Sequence, residues 1–277
     1  MAIDVRTNMA SINALNDLNA TSRALSRSFE RISSGKRIAR AADDAAGLGV
    51  AENLRAASTS AAVASRNTND GMSVIAVAEG ASSEVGNILV RMRELAVQSA
   101  SETLGNDERA YVQQEYASLA GEVDRIAAVT EFNGQSLTDG TLTTLGVQVG
   151  IQNTANDQIA ITLGDLTSVT LGVDTGAIDM STAAGASAAL TTIDAAIDTV
   201  SGYRADYGAT ENRLNNALNN LETFAQTTIE AEARIRDADF GKETAELSQN
   251  QVLMQAGVSV LGQAKGLNQS ALSLLQG

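Results

Sequence analysis

The sequence predicts a mainly α-helical protein: a long antiparallel helical rod or coiled coil with a small β-hairpin element in the middle of the chain. Aromatic residues make up only 3% of the 277 residues and proline is absent, which suits helices packed side by side better than a compact aromatic core. Apolar residues recur every three or four positions at both ends of the chain, a spacing typical of helices that share a seam. Between about 134 and 185 this spacing stops and Gly, Thr and Asp increase.

The two ends of the chain carry apolar stripes that need a partner. The first helix places large apolar side chains along one stripe, which Thr21 and Ser22 interrupt, and the last forty residues step by three or four throughout. An amphipathic helix is marginal in water unless its stripe is buried. We therefore predict that both ends assemble, with each other or with other copies. The predicted self-assembly residues are Ile12, Leu15, Leu18, Leu25, Ile32, Leu253, Val260, Leu267 and Leu274.

Three further helical runs lie inward. The first has seam positions 75, 78, 82, 85, 89, 92, 96 and 99, and a shorter one follows from Val112 to Ile126. The longest has seam positions 190, 193, 197, 200, 204, 207, 211, 214, 218, 221 and 225. Arg204 and Glu211 interrupt this last seam, and polar residues at seam positions often fix the register of a coiled coil.

The middle of the chain predicts a β-hairpin followed by a connector. Apolar and polar residues alternate in "GVQVGI" and "DQIAITL", around the loop "QNTAND". This pattern indicates two strands within residues 145–164. Residues 165–188 are rich in Gly, Ser, Thr and Ala, and we predict a short, surface-exposed connector there.

The stretch "RISSGKRIARAADDAAG", residues 31–47, concentrates charge around a Ser-Ser-Gly break. Its charged residues are Arg31, Lys36, Arg37, Arg40, Asp43 and Asp44. An active site, a nucleic-acid clamp and a structural joint are all compatible with the stretch alone. Just before it, Arg23, Arg27 and Arg31 recur at every fourth residue and form a basic stripe on one helix face.

Composition excludes several functions. The chain has no His and no Cys, so it has no Ser-His-Asp triad, no Cys-His dyad and no zinc site made of those residues. No carboxylate pair is spaced for acid–base work, and we predict neither an enzyme nor a cofactor. The net charge of −14 opposes nucleic-acid binding. No apolar run is long enough to span a membrane, and the N-terminus lacks the apolar core of a cleaved signal peptide.

Several blocks, in order, resemble bacterial flagellins. They are "SSGKRIARAADDAAGLGVAENLRA", "SRNTNDGMSVIAVAEGA", "VRMRELAVQSA", "TEFNGQSL" and "SVLGQAKGLNQSALSLL". The resemblance covers about residues 1–140 and 190–277 and leaves only the middle unmatched. It implies a structural subunit that self-assembles into the helical bacterial flagellar filament used for swimming.

The resemblance also implies a domain organisation. Residues 1–40 and 245–277 would form an inner coiled-coil assembly domain. Residues 41–164 and 189–244 would form an outer helical domain with the hairpin, and 165–188 a variable surface connector. Residues 31–47 would be the joint between the two domains. The expected partners are other copies of the chain, the flagellar export apparatus with its chaperone, and the filament cap and junction proteins. The location would be the extracellular flagellum, reached without a cleaved signal peptide.

A Toll-like receptor of animal hosts recognises flagellins of this type through the "RELAVQS" helix and the helix after it. The matching positions here are Arg91, Leu95, Gln98, Val112 and Glu115. Val90 stands where a polar Gln is common in the family. The same patch would also be an assembly surface, open to a receptor only in monomers.

Three other readings have to be weighed at this point, and the sequence excludes one of them. A hook–filament junction protein shares the same terminal helices. Flagellins with a metallopeptidase in the middle segment need His-Glu-x-x-His, which a chain without His excludes. A secreted effector or surface-layer protein with coiled-coil ends is the third reading, and polymerisation into uniform tubes would count against it.

Overall fold

In a computed structural model, residues 8–275 are described, with side chains up to residue 266. The five α-helices of this part are α1 (Met9–Ser34), α2 (Ala45–Ala100), α3 (Asn106–Val129), α4 (Ala183–Arg236) and α5 (Phe240–Leu275). Two small antiparallel hairpins lie between α3 and α4. The first pairs β1 (Glu131–Phe132) with β2 (Gln135–Ser136), and the second pairs β3 (Thr144–Gln148) with β4 (Gln158–Thr162). The mainly α fold with a small hairpin region is thereby confirmed.

The chain divides into two compact units. Unit 1 comprises Met1–Ala56 and Thr227–Gly277, and unit 2 comprises Ala57–Gln226. The sequence placed the corresponding boundaries at 40/41 and 244/245, whereas the units divide inside α2 and α4. The segments before α2 and after α4 pair through a backbone bridge between Lys36 and Asp237, and both lie in unit 1.

Unit 2 has the larger core, built on the predicted seam of α2. All eight seam residues from Ile75 to Ser99 are buried. Four of them, Val85, Leu89, Met92 and Ala96, share a cluster with Tyr116 and Val123 of α3 and with Ile193 and Val200 of α4. The predicted periodicity of α2 is therefore the periodicity of its buried face.

The seam of α4 differs from the prediction at its two charged positions. Arg204 and Glu211 are exposed, and Arg204 lies 3.6 Å from Glu79 in a surface ion pair. The residues just before them, Tyr203 and Thr210, take the inward positions. The helix thus turns its charges outward, because a buried charge without a close partner is costly.

The predicted hairpin is present as β3 and β4. Leu145 pairs with Ile161 and Val147 pairs with Ile159, so one face of the hairpin packs into a second cluster with Ile75 on α2. A 3-10 turn at Ala155–Asp157 closes the connection. Gly71 on α2 lies so close that a Cβ there would be 2.9 Å from a Val147 methyl carbon.

Residues 165–188 correct the prediction of a surface-exposed connector. Leu166, Val173 and Met180 in this segment are fully buried in the core of unit 2. Polar contacts hold the segment as well: the Ser168 hydroxyl donates to Asp124 over 2.9 Å. The composition suggested a linker because its apolar residues are widely spaced, yet most of the large ones reach the core; Val169 is the exposed exception.

None of the described helices has a stretch that is both long and apolar enough to cross a membrane.

Candidate assembly surfaces and inter-helix joint

Helices α1 and α5 of unit 1 pack side by side in antiparallel directions. Near one end of the pair, the Asn8 side-chain amide donates to the Ala264 carbonyl over 3.0 Å. Towards the other end, Arg31 lies 3.1 Å from Glu243. The two ends of the described chain therefore meet in one helix pair.

The seam between α1 and α5 consists largely of small and polar side chains. In α1, buried or half-buried residues recur at positions 11, 14, 18, 21, 25, 28 and 32; in α5 they recur at 243, 247, 250, 254, 257, 261 and 264. Ser11 and Ser28 are buried, and a Cβ on Gly257 would lie 3.2 Å from Leu18. Small residues let the two backbones approach closely. Thr21, which interrupts the apolar pattern of the sequence, is a member of this seam.

The predicted self-assembly residues fall into three groups. Leu18, Leu25 and Ile32 are half-buried at the seam. Four others remain substantially exposed, at 41% for Ile12, 42% for Leu15, 48% for Leu253 and 54% for Val260. The side chains of Leu267 and Leu274 lie outside the described residues. Three of the seven described residues are thus used within the chain, and the other four are left at the surface.

An apolar groove runs along one side of the helix pair. Its volume is about 380 Å³. It is lined by Ala10, Asn13, Ala14, Asp17, Leu18, Thr21, Leu253, Ala256, Gly257 and Val260. The exposed Leu253 and Val260 form its apolar wall. We call this surface the α1/α5 groove.

The Ser-Ser-Gly break ends α1 in a defined turn. Gly35 adopts a left-handed conformation with φ of 68°, which glycine accepts without strain. Residues 35–38 then run beside 235–238: the Arg37 backbone N–H donates to the Arg236 carbonyl over 2.7 Å, and the Ala238 N–H donates to the Gly35 carbonyl over 2.9 Å. Ile38 beneath them is fully buried. At the break, two chain segments therefore pair through their backbones in an ordered antiparallel arrangement.

The predicted joint residues make contacts within unit 1, through their side chains or, for Lys36, through the backbone. Arg40 contacts Glu30 over 2.8 Å, and the Arg37 guanidinium donates to the Ile235 carbonyl. Asp44 accepts the Gly47 backbone N–H over 2.8 Å, at the start of α2. Lys36 pairs through its backbone with Asp237.

Asp43 closes a tight turn in this joint. Its carboxylate accepts the backbone N–H of Arg40 over 3.0 Å. This hydrogen bond is the main reason that the pKa of Asp43 lies below its usual value; the N–H of Ala39 and the charges of Arg31 and Arg40 lower it further, against a smaller opposing effect of desolvation.

Two residues of the joint were missed by sequence reasoning. The side chain of Glu243 is 6% exposed and that of its partner Arg31 is 30% exposed, so the pair lies largely out of water. Arg236 reaches Glu52 over 3.1 Å and Glu232 over 3.3 Å. Both residues sit at helix ends that the sequence placed outside the charged stretch. The sequence signal that could have indicated these contacts was the opposite net charge of segments 31–40 and 230–243.

The positions carried over for receptor recognition divide between surface and core. Arg91, Gln98 and Glu115 are exposed, and Arg91 bonds Glu115 over 2.8 Å and Glu94 over 2.8 Å. Leu95 is only 1% exposed and Val112 only 7%. The two apolar positions thus pack in the core, and the accessible members of the set are polar.

The Asn133-Gly134 pair is the sequence signal for the first hairpin, which the sequence analysis did not predict. Asn133 has φ of 51° and Gly134 has φ of 76°, the left-handed conformations of a two-residue hairpin turn. An Asn-Gly pair between short apolar segments is typical of this turn.

The chain matches known families and proteins over most of its length. A family model described as the bacterial flagellin N-terminal helical region matches residues 5–143, and one described as the bacterial flagellin C-terminal helical region matches residues 190–275. A flagellin of Halalkalibacterium halodurans is 38% identical over 272 residues, which cover 98% of this chain and 99% of that protein. A flagellin of Bacillus subtilis is 36% identical, with 98% and 99% covered. The crystal structure of Bacillus cereus flagellin is similar at a TM-score of 0.50 and 34% identity, covering 56% of this chain and 88% of that one.

Proposed function

The chain is a member of the bacterial flagellin family, and we propose from this membership that unit 1 is the surface through which copies polymerise into the helical filament of a bacterial flagellum. The family is a structural one, and its members build the filament used for swimming. Two matching regions and relatives aligned over nearly the whole chain support a filament subunit. Nothing favours the hook–filament junction alternative.

The exposed apolar side chains of α1 and α5 carry the proposal. The two helices pair through a seam that mixes small, polar and apolar side chains. They leave Ile12, Leu15, Leu253 and Val260 largely exposed. Fully burying one such side chain contributes about 1.5–3 kcal/mol. A partially exposed side chain gains a share of that amount, and a polymer repeats the gain in every copy. A monomer gains nothing from this arrangement, whereas a filament does.

The remaining parts of the proposal follow from family membership. The protein acts outside the cell, in the flagellum, and reaches it through the flagellar export apparatus without a cleaved signal peptide. A chaperone, the filament cap and the junction proteins are its further partners. Polymerisation is its activity and it catalyses no reaction, which agrees with a composition lacking His and Cys.

We propose that a host Toll-like receptor, if it binds this chain, meets the polar edge of α2 and α3. Arg91, Gln98 and Glu115 are the accessible members of the matching set. Arg91→Ala should weaken receptor signalling by purified monomer, while Leu95→Ala should act mainly through stability because Leu95 is buried. Equal signalling by the Arg91 variant and the wild type would contradict this contact.

The joint is proposed to set how α1 is fixed beside α5. Replacing both Arg37 and Arg40 by Ala removes the contacts to the Ile235 carbonyl and to Glu30, and we expect a lower filament yield and lower salt tolerance. Arg234→Ala is a matched control, because its ion pair with Glu230 at 3.7 Å is highly exposed and worth about 0–1 kcal/mol. An unchanged yield for the double variant would contradict a role of the joint in assembly.

The decisive experiment compares the whole chain with a chain that lacks residues 1–40 and 245–277. Sedimentation, electron microscopy and far-UV circular dichroism follow both proteins during seeded polymerisation. The whole chain should form uniform filaments, and the shortened chain should stay a folded monomer. If the whole chain never polymerises and the shortened one unfolds, the ends belong to a closed bundle and the filament function is wrong.

A further inference from the structure

The two hairpins of unit 2 form separate sheets, and a cavity is lined by both of them. Its volume is about 370 Å³, within the range of about 300–1,000 Å³ that ligand pockets occupy. The lining comes from α2, from the β1–β2 hairpin and the chain just after it, and from β3. Val74 and Leu137 in this lining are buried and apolar. We call the cavity the β3 slot, after its lining residues Leu145, Gly146, Val147 and Gln148.

The edge of β3 that does not pair with β4 has its own row of backbone hydrogen-bonding groups. At the end of the hairpin, the Leu163 N–H donates to the Thr143 carbonyl over 2.9 Å. Along an antiparallel ladder, the residues that exchange hydrogen bonds with the partner strand alternate with residues whose backbone groups point away from it. In the register of this hairpin, Thr144, Gly146 and Gln148 are the residues that point away from β4.

This edge is largely unpaired and unprotected. The Gln148 carbonyl accepts from the Asn67 side-chain amide over 3.3 Å. Among residues 8–275, no hydrogen bond reaches the backbone of Gly146 from that side, and Gly146 is exposed. Charged residues and proline commonly protect edge strands from further pairing, and β3 contains neither. A free strand edge therefore lies beside a cavity.

We propose that the β3 slot binds an extended, basic peptide segment of a partner protein as a third strand beside β3. In such β-strand addition, main-chain hydrogen bonds give affinity and pockets for alternate side chains give specificity. The backbone of Gly146 supplies hydrogen bonds to the added strand, and Val74 and Leu137 receive every second side chain. The segment is about five residues long, because β3 has 5 residues and strands rise at about 3.3 Å per residue.

The charge around the slot selects a basic segment from a different protein. Exposed Asp70 lines the slot and belongs to none of the ion pairs of the described residues. Unit 2 holds 7 Lys and Arg against 21 Asp and Glu. The strands of the described chain lie between residues 131 and 162, and no Lys or Arg occurs from 126 to 203. A strand from a second copy therefore brings no cation to Asp70.

The test titrates the full-length chain, as a monomer, with the synthetic peptide acetyl-Lys-Val-Thr-Val-Lys-amide. Isothermal titration calorimetry should show saturable one-to-one binding with a Kd below about 1 mM. Asp70→Asn should weaken this binding about twofold to fivefold, the usual size for an exposed ion pair.

Two N-methylated peptides examine the backbone contact directly. One is methylated at both valine amides, and the other at the threonine amide and the last lysine amide. Successive N–H groups of a strand point to opposite edges. One of the two peptides should therefore lose at least about tenfold in affinity, and the other should bind as the unmodified peptide does.

A proline on each edge of the hairpin gives a matched pair of variants. Gly146→Pro removes an N–H from the slot edge. A Cβ on Gly146 would lie 3.8 Å from the nearest atom, and edge strands tolerate proline. Ala160 lies opposite Gly146 in the register, so Ala160→Pro removes an N–H from the other edge. Gly146→Pro should weaken peptide binding at least about tenfold, and Ala160→Pro should leave it unchanged. Thermal unfolding followed by circular dichroism checks that both variants fold.

Three results would overturn the proposal: no saturable binding by the wild type, equal affinities for the two methylated peptides, or equal binding by the two proline variants. The methylated peptides act on the wild-type chain, so they decide the question even when a proline variant does not fold. If Gly146→Pro changes the self-association of the chain in sedimentation, the occupant is a second copy and the assignment to a different protein is wrong. The titration does not depend on polymerisation, so failure of the proposed function leaves its outcome unchanged.

Discussion

A buried arginine secures the C-terminal end of α2. Arg109 is 7% exposed, and it donates to the Ser99 carbonyl over 2.9 Å and to the Ser101 carbonyl over 2.8 Å. The last carbonyls of a helix have no partner inside the helix, and a cation there also interacts favourably with the helix dipole.

We expect Arg109→Leu to lower the free energy of unfolding by about 2 kcal/mol, because buried carbonyls lose charge-assisted partners. Urea denaturation followed by circular dichroism measures this. Arg125→Leu removes an exposed pair with Glu122 and should change stability by less than about 0.5 kcal/mol. Similar losses for the two variants would argue against a special role of Arg109.

Two buried tyrosines make unit 2 sensitive to alkaline pH. Burial is the main cause that raises the pKa of Tyr116 and of Tyr207 above the ordinary value of 10.0. The Tyr116 hydroxyl donates to the Val173 carbonyl over 2.7 Å. Each phenol holds its proton more tightly in the folded chain than in the unfolded one. This contribution to stability is therefore complete below the ordinary pKa and is lost as pH rises through the folded value.

Unfolding should accordingly become easier above the ordinary tyrosine pKa of 10.0. Urea midpoints measured across that range should fall more steeply for the wild type than for a chain with Tyr116→Phe and Tyr207→Phe. Tyr111→Phe is the control, since Tyr111 is 73% exposed, and it should keep the wild-type slope. A double variant with an unchanged slope would show that other groups govern alkaline unfolding.

At the scale of elements, two glycines of α2 have opposite roles. A Cβ on Gly86 would meet nothing within 4 Å, whereas one on Gly71 would lie 2.9 Å and 3.2 Å from the two methyl carbons of Val147 in β3. Valine is stiff about its first side-chain torsion and cannot easily turn away.

Gly86→Ala should stabilise the protein by about 0.5–1 kcal/mol, the usual gain from alanine inside a helix. Gly71→Ala should lose this gain and be net destabilising, because the hairpin must move. Thermal unfolding of both variants gives the comparison on one helix. Stabilisation by both would mean that the hairpin yields without cost.

The sequence predicted the elements of unit 2 better than those of unit 1. In α2, one apolar stripe from Ile75 to Ala96 faces the interior of unit 2, first the cluster with the hairpin and then the cluster with α3, so periodicity identified the buried face directly. The break at Gly35 was also predictable, because glycine accepts its left-handed conformation. In α1, the sequence pointed to Ile12 and Leu15, but the chain buries Ser11 and Ser28 instead. An apolar pattern identifies a helix face that is more stable when buried. It does not show whether the same chain or a neighbouring copy buries that face.

At the scale of the whole molecule, the net charge comes from only one of the two units. Unit 1 is balanced at 12 basic and 12 acidic residues, whereas unit 2 holds 7 basic residues against 21 acidic ones. The entire net charge of −14 therefore lies in unit 2. The proposed polymerisation through unit 1 would gather many copies of the acidic unit 2 in one polymer.

Assembly should therefore be favoured by salt. The screening length is about 30 Å at 0.01 M ionic strength and about 8 Å at 0.15 M. We expect the critical concentration for polymerisation, measured by sedimentation, to fall over this range. Replacing exposed Asp70 and Glu84 of unit 2 by Asn and Gln should weaken the dependence. A critical concentration that rises with salt would mean that ion pairs between copies outweigh this repulsion.

The antiparallel pairing of α1 with α5 also sets an order in time. The hydrogen bond from Asn8 to Ala264 joins residues 256 positions apart. Helix α1 is therefore synthesised first but can pair with α5 only after the end of the chain has been made. A ribosome adds about 5–20 residues per second. Unit 2 can therefore form its local contacts in the time between the synthesis of α1 and that of α5. Such distant contacts form slowly, since a long loop must close first. A chain interrupted before α5 would carry α1 without its seam partner, and so without a complete groove. On the proposed assembly through unit 1, a copy that lacks its final segment would not join others.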